Sequence, residues 1–329
     1  MTKNISDELG SVLKENDNFL LLAHEKPDGD ALGSLFGLFT VLRENGKKAD
    51  AYLPEKPPMR YVPFVPEGII AGNTPDLDSY SCVVCLDTST PDRIGIEKEL
   101  RGKLLSRPMI NIDHHPDNKL FGKQNFIIPD AAATAEILFR TLKDSTEMRI
   151  SQTAATFLLM GMIMDTGGFR FDNTRASTLK TASELMAAGA DYSRLINALF
   201  FSQPLSFVRM EAELISKNLR TAFSGRYAWA YLSDDMLKTY GVDKKDTEML
   251  IDSIRQIDGV EIAVVFYRKD DGFKISMRSK NKKYSVAKIA RALNGGGHEL
   301  AAGGFMKTDN ISEAENTVLS HVSAILEGK

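Results

Sequence analysis

Four separated groups of acidic and histidine residues, each placed directly after an apolar run, constrain what this chain can fold into. They are His24-Glu25-Lys26-Pro27-Asp28-Gly29-Asp30, Asp87, Asp113-His114-His115 and Asp165-Thr166-Gly167. Apolar runs end up buried, and the charged groups at their ends must emerge where those buried elements stop. The pattern predicts one metal site gathered from the ends of several core elements.

Residues 18–24, 48–53, 79–86 and 108–112 are short apolar runs suited to buried strands, and residues 30–44 carry apolar positions at helical spacing. The chain therefore starts as strand-helix-strand, which implies a parallel sheet. In open parallel sheets a site forms beyond the carboxyl ends of the strands, where His24, Asp87, Asp113 and His114 all fall. Proline-rich residues 54–75 suggest a long loop passing over the sheet edge. From Ala131 the pattern turns helical, with segments at 134–142, 152–164, 177–188 and 192–201. Asp165 thus follows a helix, and reaches the crevice only if that helix packs on the sheet.

With 329 residues the chain has room for two domains. A helical run from Pro204 to about Phe223 reads as a connector, followed by strands at 226–232, 261–268 and 273–278 and helices at 247–257, 286–293 and 312–326. The expected class is α/β: a parallel-sheet domain over 1–195, a helical connector over 196–224, and a smaller mixed-sheet domain over 225–329. Lys plus Arg number 41 against 44 Asp plus Glu, so no global basic field exists to hold a long duplex nucleic acid. Phosphate recognition must be local. The first residues lack an apolar core of signal-peptide length and no later stretch is long enough to span a bilayer, so a cytoplasmic protein away from membranes is expected. Cys82 and Cys85 have redox-like spacing, but in a strand residues three apart face opposite sides, so two buried thiols are expected.

His24, Asp28 and Asp30 fall within one turn, and Gly29 lets the backbone fold tightly there. Taken singly, an Asp after an apolar run is a helix cap or turn former, and a lone histidine a hydrogen-bonded core residue. Four such signals agreeing point to metal. Carboxylates held close without cations would repel one another and raise each other's pKa values. Mixed imidazole and carboxylate donors suit manganese, iron or zinc better than magnesium or calcium, and the lack of a cysteine donor argues against structural zinc. Six candidate donors exceed what one ion needs. Two ions roughly 3.5 to 4 Å apart are a known solution for phosphoester hydrolysis, where they orient phosphate and lower the pKa of a water.

In order and interval these motifs, with Ala31-Leu32-Gly33-Ser34 and Phe169-Arg170-Phe171-Asp172-Asn173-Thr174 beside them, resemble the four motifs of the DHH phosphoesterase family. The resemblance implies two manganese ions, one held by His24, Asp28 and Asp87 and the other by Asp30, Asp87, His114 and Asp165. Asp87 would bridge them. It also implies that His115 faces the substrate phosphate or protonates the leaving group, and that Asp113 orients the histidines; Asp87, Asp113 and His115 would form the catalytic set. In extended chain the neighbours His114 and His115 are expected to point opposite ways.

Gly295-Gly296-Gly297-His298 with Ala301-Ala302-Gly303-Gly304 leaves the backbone open to close approach, and Arg278-Ser279 ends a strand with a guanidinium suited to phosphate. These segments resemble the DHH-associated C-terminal domain, which implies substrate binding by Arg278, Ser279, Gly296, Gly297 and His298, together with His115. Glu299 stands where that family often carries a basic residue. The chain's length and connector resemble the family's bifunctional oligoribonucleases. That implies hydrolysis of short RNA to mononucleotides and removal of the 3′-phosphate of pAp, in an interdomain cleft better fitted to a dinucleotide than to a polymer. Alternatives are hydrolysis of linear dinucleotides from cyclic dinucleotide turnover, exopolyphosphatase or pyrophosphatase activity, and a non-catalytic nucleotide-binding regulator. A homodimer is an open alternative.

Overall fold

Alternation along buried strands organises the first part of the molecule. The structure, a computed structural model, describes residues 3–328 and divides into two units between Ser202 and Gln203. The first unit runs α1 (Lys3–Glu15), β1 (Phe19–Ala23), α2 (Gly29–Glu44), β2 (Ala49–Leu53), β3 (Ile70–Ala71), β4 (Cys82–Leu86), α3 (Lys98–Leu105), β5 (Met109–Asp113), β6 (Gln124–Ile127), α4 (Thr134–Ser145), α5 (Gln152–Asp165), α6 (Ala176–Ala187) and α7 (Tyr192–Phe200). Its strands form one parallel sheet in the order β3-β2-β1-β4-β5-β6. Phe19, Leu21, Val84 and Leu86 face a core shared with α2, α4 and α5, while Leu20, Leu22, Val83 and Cys85 face a second core with Leu104 of α3. Two covered faces explain strands that are apolar throughout.

Cys82 and Cys85 lie in the two different cores, as strand alternation requires. Burial pushes their thiols up to about 11 and about 12, so neither is a nucleophile at neutral pH. The chain builds outward from β1 to β3, then returns to lay β4 against the other side of β1. That reversal opens a crevice at the carboxyl ends of β1 and β4.

Residues 54–75 do more than pass over the edge. Met59–Phe64 forms a 3-10 turn that buries Tyr61 and Phe64, and β3 pairs with β2 to extend the sheet. A two-residue strand among prolines has too few positions to show alternation. In the core that Tyr61 and Phe64 join, α2 and α5 are apolar nearly all round and cross closely. A Cβ on Gly33 would stand 2.5 Å from the Gly161 nitrogen and 2.6 Å from the Phe157 carbonyl oxygen, so only glycine permits the approach. This crossing answers the sequence's open question about Asp165, because it carries the end of α5 to the crevice.

The second unit runs α8 (Leu205–Glu213), β7 (Arg220–Ala222), β8 (Tyr227–Leu232), α9 (Asp234–Tyr240), α10 (Leu250–Arg255), β9 (Ile262–Lys269), β10 (Gly272–Ser279), α11 (Val286–Ala292), β11 (Gly296–His298), β12 (Ala301–Met306) and α12 (Ile311–Glu327). Its sheet has the order β11-β12-β10-β9-β8-β7 and is antiparallel except between β8 and β9. Ile275 and Met277 face a core with α11 and α12, and Ala263 and Val265 face another with α8 and α10. The helix expected from Pro204 to Phe223 stops earlier: it gives way to a π turn over Leu214–Asn218, and Arg220–Ala222 pairs with β8. Phe207, Met210 and Leu214 are buried in the second unit's core, so the first turns of this segment pack as part of that unit. Among the described residues, no helix is long and apolar enough to cross a membrane.

Candidate active site

The turn after β1 is built by its own carboxylates. Asp28 caps α2, its Oδ1 accepting from the amides of Asp30 and Ala31 at 3.0 and 3.1 Å, which holds the half-buried carboxylate at the mouth of the crevice. Asp30 is buried, and its oxygens accept from Thr134 N at 2.6 Å, Ala135 N at 3.1 Å and Ser34 Oγ at 3.2 Å. It thus caps the N-terminus of α4, whose own preceding residue, Ala133, offers no side-chain acceptor. Asp87 leaves β4 with φ at +52°, a left-handed conformation that is costly for a residue with a Cβ. Its amide still donates to Ile112 O at 3.0 Å, so the backbone stays in the sheet while the side chain turns aside.

Two clusters share that Asp87 side chain. His24 Nε2 lies 3.9 Å from Asp28 Oδ1 and 3.8 Å from Asp87 Oδ2. His114 Nε2 lies 4.0 Å from Asp30 Oδ2, 3.7 Å from Asp87 Oδ1 and 3.6 Å from Asp165 Oδ2. All five separations are too long for hydrogen bonds, yet each falls within about 4.2 Å, the span across an ion with bonds of about 2.1 Å to each donor. Both histidines turn Nδ1 to a backbone carbonyl, Glu25 O at 2.8 Å and Ala131 O at 3.3 Å, which leaves Nε2 as the donor atom aimed inward. Burial, followed by the charges of Asp30 and Asp28, raises Asp87 well above the usual carboxylate range. Burial and Asp28 raise Asp30 in the same way. Asp165 ends α5, where the helix dipole disfavours an anion and favours a cation. The donor types, spacing and charge all fit a pair of divalent cations.

Asp113 joins the turn to the next group. Its Oδ1 accepts from the amides of His114 and His115 at 2.8 and 3.2 Å and from His115 Nδ1 at 2.7 Å, while Asn118 Nδ2 donates to Oδ2 at 2.6 Å. Burial opposes the charged forms of both partners, but their mutual pairing prevails, holding Asp113 low and His115 high. The expected opposition of His114 and His115 does not occur. Asp113 folds both amides out of extended geometry, and the two rings pack edge to face with centroids 4.7 Å apart. His115 Nδ1 lies 3.6 Å from Asp87 Oδ1, so it borders the same carboxylate.

Three neighbours of these carboxylates carried no role in the sequence. Thr134 Oγ1 donates to Asp87 Oδ1 at 3.1 Å, Asn118 supports Asp113, and Asn173 Nδ2 donates to Asp165 Oδ2 at 3.3 Å. Thr134 reads locally as an ordinary first residue of a helix and Asn118 as loop polarity. Asn173 lies in a motif quoted for its family likeness, with nothing local to indicate its partner.

In the second unit, strand register places His298 opposite Ala301 and Ala301 opposite Arg278. Residues directly opposite share a face, so Arg278 and His298 flank Ala301 on one side of the sheet. The next row on that face, Gly296, Gly303 and Ser276, is small, and a Cβ on Gly296 would meet nothing within 4 Å. The glycine segment is therefore partly a short edge strand. Ser279 is buried, and its hydroxyl donates to Asn281 O at 2.9 Å and accepts from Asn281 N at 3.2 Å, which closes the turn after β10.

Comparison with known proteins follows the same division. Residues 18–162 match the family described as DHH family, N-terminal domain, and residues 225–327 match the DHHA1 domain. The chain is 33% identical to the bifunctional oligoribonuclease and PAP phosphatase NrnA of Thermus thermophilus, across 95% of this chain and 92% of that one. It is 29% identical to the Bacillus subtilis protein of the same name, across 90% and 91%. Among solved structures, an exopolyphosphatase-related protein from Bacteroides fragilis superposes with a TM-score of 0.85 over 99% of both chains, at 22% identity. That last likeness concerns the fold.

Proposed function

The chain belongs to the DHH family of phosphoesterases, and on that premise we propose a manganese-dependent hydrolase that releases mononucleotides from short oligoribonucleotides and removes the 3′-phosphate of pAp. Asp87 carries the assignment: its Oδ2 lies 3.8 Å from His24 and its Oδ1 3.7 Å from His114, so one carboxylate serves two donor clusters. His24, Asp28 and Asp87 would hold one ion, and Asp30, Asp87, His114 and Asp165 the other. When bound, two such cations would polarise a phosphoryl oxygen and supply a water of lowered pKa.

The remaining steps belong to side chains. His115 keeps Nδ1 on Asp113 and so presents Nε2 to a leaving oxygen, where it would act as general acid. Asp87, Asp113 and Asp165 all hold its imidazolium in place. Neutralising Asp87 and Asp165 would leave Asp113 as the main partner and move His115 toward a working acid's range. In the second unit, Arg278, Gly296, Gly297 and His298 would bind the nucleotide's phosphate, with Ser279 shaping the turn beside Arg278. The relatives named as oligoribonuclease and PAP phosphatase support this choice of substrate, as does a net charge of −3, too weakly negative to attract or exclude short anions strongly.

One assay tests the reading. Purified protein with manganese is offered pAp, a linear dinucleotide, a five-nucleotide RNA, polyphosphate and pyrophosphate side by side. Release of mononucleotides from the RNAs and of phosphate from pAp is expected. Turnover confined to polyphosphate or pyrophosphate would reject it, as would unchanged hydrolysis after Asp30→Ala, Asp87→Ala or Asp113→Ala.

A further inference from the structure

The Asp87 carboxylate must hold one orientation to serve two clusters, yet rotation about its last bond is intrinsically loose, because such torsions have broad, roughly two-fold wells. Thr134 supplies a hydroxyl to one oxygen only, Oδ1, at 3.1 Å. Oδ1 is the atom that faces His114, while Oδ2 faces His24. Both residues are buried, Thr134 at 0% and Asp87 at 2% exposure, so water does not compete for that contact.

Thr134 is itself fixed. It begins α4, its amide donates to Asp30 Oδ2 at 2.6 Å, and the next amide, Ala135, donates to Asp30 Oδ1 at 3.1 Å. A β-branched side chain in that position has few rotamers. One residue therefore ties together two carboxylates of the same cluster, Asp30 through its backbone and Asp87 through its hydroxyl.

We propose that Thr134 is the positioning residue that keeps Asp87 divided between the two clusters, an inference that rests on the two-cation site proposed above. Its hydroxyl orients Asp87 without touching substrate. Groups that orient metal ligands from behind typically change metal affinity 10- to 100-fold when removed.

The test is a manganese titration of the full-length protein, with free Mn2+ followed by electron paramagnetic resonance. Thr134→Val keeps the branched shape and removes the hydroxyl, whereas Thr134→Ser keeps the hydroxyl. Thr134→Val is expected to weaken manganese binding about 10- to 100-fold, with Thr134→Ser close to the unsubstituted protein and circular dichroism in chelator unchanged for both. If the valine variant fails to fold, Thr134→Ala carries the same expectation. Equal affinity in the hydroxyl-free variant, or an equal loss in the serine variant, overturns the role. A full-length protein that binds no manganese at all overturns the site itself, which is a separate result.

Discussion

Asp30 and Asp87 are buried, and burial raises both carboxyl groups, joined by the charge of Asp28 at Asp30, which rises to about 7, and by the charges of Asp30 and then Asp28 at Asp87. The folded protein without metal therefore keeps a proton on Asp30 across a window in which the unfolded chain, with an ordinary value of 3.8, has lost it. Stability in chelator should be greatest at the acid side of that window and fall as pH rises toward about 7. Saturating manganese should remove the fall. Thermal midpoints between pH 4.5 and 8, with and without metal, check the sign, and a chelator series that rises with pH contradicts it. His115 behaves differently, because it borders Asp87 while its own hydrogen bond goes to Asp113. His115→Ala is expected to lower kcat by about 10²- to 10⁴-fold while manganese affinity is retained.

The crossing of α2 and α5 decides whether Asp165 joins the other donors. A Cβ on Gly161 would stand 2.7 Å from both Ala135 Cβ and Asp30 Oδ1, so the helices would have to part beside a proposed ligand. Gly161→Ala should destabilise the fold by about 1 to 3 kcal/mol, read from urea midpoints, and should also weaken manganese binding. Gly102 in α3 is the control, since a Cβ there meets nothing within 4 Å. Gly102→Ala should be neutral or stabilise by about 0.4 to 1 kcal/mol. Equal effects at the two glycines would show that helix propensity, rather than close approach, governs both.

Each unit has its own sheet and cores, with Leu199 in the first and Phe207 in the second on either side of the dividing point. The proposed division of labour follows this boundary: residues 1–202 would bind metal and cleave, and the second unit would recognise the nucleotide. Residues 1–202 expressed alone should bind manganese and hydrolyse a simple aryl phosphodiester, yet lose preference for a dinucleotide. In the full chain, Arg278→Ala should raise KM for the dinucleotide more than it lowers kcat. A truncated unit with undiminished dinucleotide preference would overturn that division.

Much of this was legible in order alone. Apolar runs ending in His24, Asp87 and Asp113 announce strands whose carboxyl ends converge, because apolar runs bury and a strand-helix-strand order makes the strands parallel. The parallel sheet and the mixed second sheet follow from such signals, while the DHH and DHHA1 families were reached by the resemblance of specific motifs, which the family matches bear out. Other features required the folded chain. Strand β3 was too short for a period, and the helix expected to reach Phe223 yielded to pairing between Arg220–Ala222 and β8. The Thr134 hydroxyl on Asp87, the Asn118 amide on Asp113 and the edge-to-face packing of His114 on His115 are likewise set by hydrogen bonds and close approach. The sequence by itself determined which chemical groups stand at the ends of buried elements, since hydrophobicity and alternation act along the chain. Only the tertiary structure decided which oxygen of Asp87 faces which histidine, since that orientation depends on a hydroxyl donated from helix α4, 47 residues further along.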